Sequence, residues 1–121
     1  MTAPDLTTGE RLEIQRRRDR LTQPEAAERL SVSTHLYRRW ERDLGRRAPI
    51  VDVGPLEARE WAWLMRRREG LTRRQLSDLT GLHPQWIHLA ENGEGKNPEP
   101  LVEWWERRLA DRILRGAALH G

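Results

Sequence analysis

The 121-residue sequence predicts an all-α chain: two similar three-helix units, a short connector and a C-terminal capping helix. Three observations lead there. The stretch "LTQPEAAERLSVSTHLYRRWE", Leu21 to Glu41, returns fifty residues later, without a gap, as "LTRRQLSDLTGLHPQWIHLAE", Leu71 to Glu91. Each copy carries helix-capping residues at matching places. The apolar residues recur at helical rather than alternating spacing. At the same offset Arg16-Arg17-Arg18 aligns with Arg66-Arg67-Arg68, Leu12 with Ala62, Gly45 with Gly95 and Arg46 with Lys96. Unrelated helical segments rarely keep register through a helix, a turn and a second helix.

The elements follow in order. Thr7 with Glu10 makes a capping box, in which the hydroxyl takes a free amide of the first turn and the carboxylate returns to the cap. It opens a first helix over 8–19. Thr22 with Glu25 opens a second, 23–30, and Pro24 is tolerated in its first turn, where no amide needs a partner. Ser33 caps a third, 34–42. "GRRAPIVDVGP" is a connector rich in turn residues, with "IVDV" as an extended piece. Pro55 opens a fourth helix, 56–69. Ala58, Ala62 and Met65 line its core face, and Leu56, Trp63 and Leu64 lie off that face, so it is buried on more than one side. Thr72 with Gln75 begins the fifth helix, Gly81 breaks the chain, Pro84 opens the sixth, and Gly93 and Gly95 end it. The last helix, 99–115, carries a stripe of Leu101, Trp104, Trp105, Leu109 and Ile113, which serves either as a cap over the second unit or as a dimer interface. The expected domains are 1–48, a connector at 49–55, and 56–121.

A helix, a tight turn and a helix, with a small residue inside the first and an apolar residue in the turn, form the helix-turn-helix pattern. The small residue is Ala27 or Ser77, and the turns are Ser31-Val32 and Gly81-Leu82. The expected core positions are Ala26, Leu30, Val32, Tyr37 and Trp40, then Leu76, Thr80, Leu82, Ile87 and Ala90. Trp40 aligns with Ala90, so Trp86 or the tryptophans of the last helix must fill the second core.

Composition narrows the function classes. Hydrophobic residues make up 36% and charged residues 34%, which is polar for a globular chain but leaves enough for small helical cores. The formal net charge is +3, and Lys96 is the only lysine. An arginine bias suits phosphate and guanine recognition, and equally a GC-rich coding sequence. With no cysteine, disulfides and thiolate metal sites are excluded. No apolar run long enough to span a bilayer is present, and "MTAPDLTTGE" lacks the basic start and apolar stretch of a signal peptide. The histidines at 35, 83, 88 and 120 form no HExxH motif, and there is no Gly-rich phosphate loop or nucleophile elbow. We therefore expect no enzyme activity, no metal or other cofactor, no small-molecule ligand and no membrane partner, and a cytoplasmic location.

Both copies resemble the Cro/phage-repressor (XRE) family of helix-turn-helix domains. The resemblance rests on "RxxxxLTQxEAAxxLxVSxxxYxxWE" from Arg16 and "RxxxGLTxxQLSxLTGLxxxxIxxxENG" from Arg66, and with the flanking helices it covers most of the chain. It implies two tandem lambda-repressor-like helical bundles in a transcriptional regulator that binds double-stranded DNA, a repressor of the phage immunity type in a bacterial host's cytoplasm or nucleoid. By position it implies structural pairs Arg16 with Glu41 and Arg66 with Glu91. Base-reading positions fall on Thr34, His35, Arg38 and Arg39 in the first copy, and on Gln85, His88 and Leu89, beside Pro84, in the second. Phosphate positions are Gln23 and Arg73, Arg42 and Asn92, with Arg46, Arg47 and Lys96 after the third helices. Physics agrees with such a use: a helix N-terminus enters the major groove, where arginine matches guanine and glutamine matches adenine. The reading residues differ between the copies, so a monomer is expected to cover an asymmetric, two-part site. A homodimer through the Trp104/Trp105 helix is the other assembly, and an antitoxin-like or adaptor module the other function on this fold.

Overall fold

The computed structural model describes residues 4–120. Among these there are seven helices and no strand, and the chain is all-α. It divides into two compact units, one ending at Pro55 and the other beginning at Leu56. The first holds α1 (Thr8–Arg18), α2 (Gln23–Arg29) and α3 (Thr34–Glu41); the second holds α4 (Ala58–Glu69), α5 (Arg73–Thr80), α6 (Pro84–Asn92) and α7 (Glu99–His120).

The helix starts follow from local hydrogen bonding. Thr7, Thr22 and Thr72 each accept the amide of the residue three on, and Glu10, Glu25 and Gln75 return the bond. Ser33 accepts from the Leu36 amide at 3.1 Å. In α6 the cap is His83, whose Nδ1 accepts from the Gln85 amide at 3.0 Å. The fourth helix departs from expectation: it begins at Ala58, not beside Pro55, because the Glu57 amide donates to the Glu60 carboxylate at 2.9 Å and makes Glu57 the cap. The "IVDV" piece forms no strand; it lies along α1, where Arg11 and Arg18 donate to the carbonyls of Val51 and Val53. The last helix runs on past its expected end at 115.

The turns repeat at the fifty-residue offset. Backbones with positive φ occur at Arg20 and Gly70, Ser31 and Gly81, Asp43 and Gly93, and Gly45 and Gly95. The second unit has glycine at all four places and the first at only one. A second pair of places shows compensation. A Cβ on Gly9 would lie 2.5 Å from the Glu41 carbonyl oxygen, so only glycine lets the start of α1 abut the end of α3. The Gly9 amide there donates to Asp43 at 2.8 Å. In the second unit the partners are exchanged: Arg59 stands where Gly9 does, and Gly93, where Asp43 stood, makes room beneath its side chain.

The first core gathers Leu12, Ala26, Ala27, Tyr37 and Trp40, with Leu21, Val32 and Val51 packed against it. Leu30, expected inside, is 40% exposed: it is the C-cap of α2, where the chain is already turning away from the core. In the second core Leu76, Ile87 and Ala90 are buried, while Thr80 and Leu82 are only partly so. On α7, which packs against α4, Leu101, Val102 and Trp105 are buried, and Trp86 is only partly covered. Losing so large a buried side chain costs about 3–5 kcal/mol, so α7 belongs to the folded unit. Trp104 stands edge-on to Trp105 at 4.8 Å with Arg108 over its ring, and Arg108 and Arg112 both reach Glu69 at the end of α4. Of these two tryptophans Trp105 is interior and Trp104 is half-buried. Ile113, at the outer end of the stripe, is 72% exposed.

Candidate nucleic-acid interface

Each unit is tied by one arginine of its first helix. The Arg16 guanidinium donates to both Glu41 oxygens, at 2.7 and 3.2 Å, and to the Leu21 carbonyl at 3.1 Å. The Arg66 guanidinium donates to both Glu91 oxygens at 2.8 Å and to the Leu71 carbonyl at 3.0 Å. The fork thus joins three elements: the first helix, the residue before the N-cap of the second, and the end of the third. Both glutamates are nearly fully buried, and two parallel N–H···O bonds fix orientation as well as distance. Burial acts to lower the basicity of Arg16, but the bond to Glu41 and its charge outweigh that and hold the guanidinium above its ordinary value. Each buried pair ties the end of the third helix to the first helix of its unit.

The outer faces of α3 and α6 differ. On the first, His35, Arg38 and Arg39 are exposed and Thr34 partly so. Arg42, Arg46 and Arg47 continue the exposed surface, and Asp43 is the single exposed acid between Thr34 and Arg47, since Glu41 is buried. On the second, Gln85 is exposed and Pro84, His88 and Leu89 partly so, and the exposed Lys96 is balanced by exposed Glu94. The first surface is therefore strongly basic and the second close to neutral, a contrast hidden in the overall charge.

The positions expected to hold phosphate are not equivalent. Gln23 is drawn inward: its amide nitrogen donates to Glu41 at 2.9 Å while its oxygen accepts from Arg38 Nε at 3.1 Å. A chain of bonds thus runs from Arg16 through Glu41 and Gln23 to Arg38 on the outer face of α3. Spacing alone gave no sign of it, because Gln23 and Glu41 meet only when the helices fold. In the second unit Arg73 replaces Gln23. Its Nε lies 3.9 Å from Glu91, already doubly bonded to Arg66, and has no hydrogen-bond partner. That separation is too long for a hydrogen bond, so the contact is charge attraction alone. Asn92 reaches back one turn to the His88 ring, at 3.2 Å from Nδ1.

Asp43 was missed by sequence reasoning. It accepts from the Thr7 hydroxyl at 2.7 Å as well as from Gly9, closing the first unit beneath the basic surface. Among the described residues no cluster of three or more potential metal-ligating side chains exists, and no helix is long and apolar enough to cross a membrane. The chain matches no family model, no curated protein and no solved structure.

Proposed function

We propose that the chain is a sequence-specific, double-stranded-DNA-binding transcriptional regulator of the repressor type, resembling phage immunity repressors, and that one chain reads an asymmetric two-part site. The observation that supports this most is the repeated fork, Arg16 on Glu41 and Arg66 on Glu91, which braces two third helices whose outer side chains differ. In this reading the N-terminal turns of α3 and α6 enter neighbouring major-groove segments. Arg38 and Arg39 read guanines, Gln85 reads an adenine, and Leu89 touches a thymine methyl. Thr34, His35 and His88 complete the reading faces. Arg42, Arg46, Arg47, Arg73 and Lys96 hold phosphates as charged donors, with Gln23 and Asn92 as neutral ones. The first unit, with the more basic surface, contributes more of the affinity.

Salt tests the electrostatic part. Five charged contacts give a slope of log affinity against log salt near −4.5, so binding to duplex DNA weakens on the order of 500-fold between about 50 and 200 mM salt. Fluorescence anisotropy with a labelled duplex measures this. A slope near zero would leave DNA without a role.

A further inference from the structure

The second unit is close to neutral on its reading face and strongly basic elsewhere. A groove of about 410 Å³ runs along α7, lined by Trp104, Arg107, Arg108, Asp111, Arg112 and Arg115. All but Trp104 are charged, so the groove suits no apolar anchor. Four arginines against Asp111 and the adjoining Glu69 leave a net charge of +2. The helix is polarised. Its exposed acids at 99, 103 and 106 precede the arginines, and Asp111 is the single acid after them. A helix dipole favours cations only within the last turn. Because α7 runs to His120, the dipole does not account for arginines that begin at 107.

The groove is anchored to α4. Arg108 Nε donates to both Glu69 oxygens, at 3.0 and 3.3 Å, and Arg112 joins the same carboxylate. Arg108 also lies over the Trp104 ring, 5.2 Å from its centre, so the ring backs an arginine instead of offering that face to a base. Arg107 and Arg115 are exposed and make no ion pair among the described residues. Glu69 closes α4. One tight turn later, through Gly70 at φ 67°, Thr72 caps α5 and Arg73 begins it. The arginines of α7 thus gather at the same end of α4 as Arg73.

We infer that this groove is a sequence-independent contact with duplex DNA, taking the phosphate backbone that flanks the half-site of α6. The inference rests on the DNA-reading role of α6 proposed above. Base contacts specify, but phosphate contacts position, and the second reading face offers few cations for that task. The first unit carries Arg42, Arg46 and Arg47 after its reading helix. At the fifty-residue offset these become Asn92, Lys96 and Asn97, only one of them charged. The helix α7, which follows the second unit alone, restores the missing charge. From Arg107 to Arg115 the groove extends about 12 Å along the helix axis. A strand of duplex DNA carries one charge per roughly 3.4 Å, so the row meets several phosphates and not a single anion.

The test uses the full chain and two labelled duplexes: a site selected from a random pool with its flanks, and the same site trimmed to its two halves. The variant is Arg107→Gln with Arg115→Gln, which leaves the Glu69 contacts in place. On the flanked duplex the parent's slope of log affinity against log salt should be steeper than on the trimmed one, by about 2. The double variant should lose that difference and bind the flanked duplex on the order of tenfold more weakly at low salt. Its melting curve, its selected sequence and its affinity for the trimmed duplex should match the parent's. Hydroxyl-radical footprints should show protection of one flank by the parent and not by the variant. Equal slopes on the two duplexes, or a variant that binds both as the parent does, would overturn the inference and leave the reading role of α6 standing. Equal weakening on both duplexes would place the arginines on the half-site itself and overturn the flank assignment. A parent that binds neither duplex would overturn both readings.

Discussion

Ser31 and Gly81 hold the same left-handed turn, with φ of 57° and 77°, fifty residues apart. The turn between the second and third helices demands this backbone in both units, and the first meets it with a residue that has a Cβ. A left-handed residue other than glycine costs roughly 1–2 kcal/mol, and glycine's extra freedom in the unfolded chain returns about 0.5–1 of that. Ser31→Gly should therefore raise stability by up to about 1 kcal/mol, and Gly81→Ala should lower it by about 1 kcal/mol or more. Urea midpoints of the two variants decide this; a drop for Ser31→Gly would mean that the serine side chain supports the turn.

The two forks give a second prediction. Removing one partner of a buried ion pair strands the other, so Glu41→Ala and Glu91→Ala should each cost about 3 kcal/mol. Glu41 also receives Gln23, so its loss should additionally free the Arg38 side chain. Chemical denaturation measures the first effect, and Glu41→Ala should broaden base preference at the Arg38 position where Glu91→Ala does not. Wild-type midpoints in both variants would show that the forks bear no structural load.

Tyr37 is the single tyrosine, which makes its ionisation directly visible. Burial first, then its hydrogen bond to Glu41 and the charge of that carboxylate, hold the phenol neutral far above its ordinary value of 10.0. In the unfolded chain the phenol ionises near that value while the folded one keeps its proton. The stability it contributes is complete below about pH 10 and is lost as pH climbs above it. The tyrosinate absorbance band should therefore grow only as the first unit unfolds. Tyr37→Phe should flatten the fall of the urea midpoint above pH 10; an ordinary titration in the folded chain would contradict the burial argument.

Readout and anchoring should separate by mutation. Arg39→Ala should cost about 1–3 kcal/mol on the selected site and relax preference at one base pair, whereas Arg46→Ala should weaken specific and non-specific binding alike and reduce the salt slope by about 1. Competition titrations with matched and scrambled duplexes distinguish them. Unchanged sequence preference in Arg39→Ala would move the reading register of the first unit.

Much of this architecture was legible in the sequence because its causes are local. Capping residues act over three positions, so Thr7, Thr22, Ser33 and Thr72 mark helix starts wherever the rest of the chain lies. The start of α4 was misplaced because Pro55 is the louder signal, while the bond that decides it is between two glutamates. That Ser31 is left-handed is visible only by aligning it with Gly81. The inward turn of Gln23, the exposure of Leu30 and the burial of Trp105 rather than Trp104 depend on what packs against each residue, and no spacing rule contains that. The more basic reading helix of the first unit was legible in the sequence, where Arg38 and Arg39 align with His88 and Leu89, and the burial of Glu41 and Glu91 removes one acid from each outer face.

The most direct test of the central claim is to select binding sites from a random duplex pool with the full chain, then weigh the complex on the selected site at low protein concentration. The account predicts a non-palindromic site with two dissimilar halves, bound by one chain, in which the half assigned to Arg38 and Arg39 contributes more affinity. A perfect palindrome occupied by two chains would contradict it, and so would a pool from which no sequence is enriched.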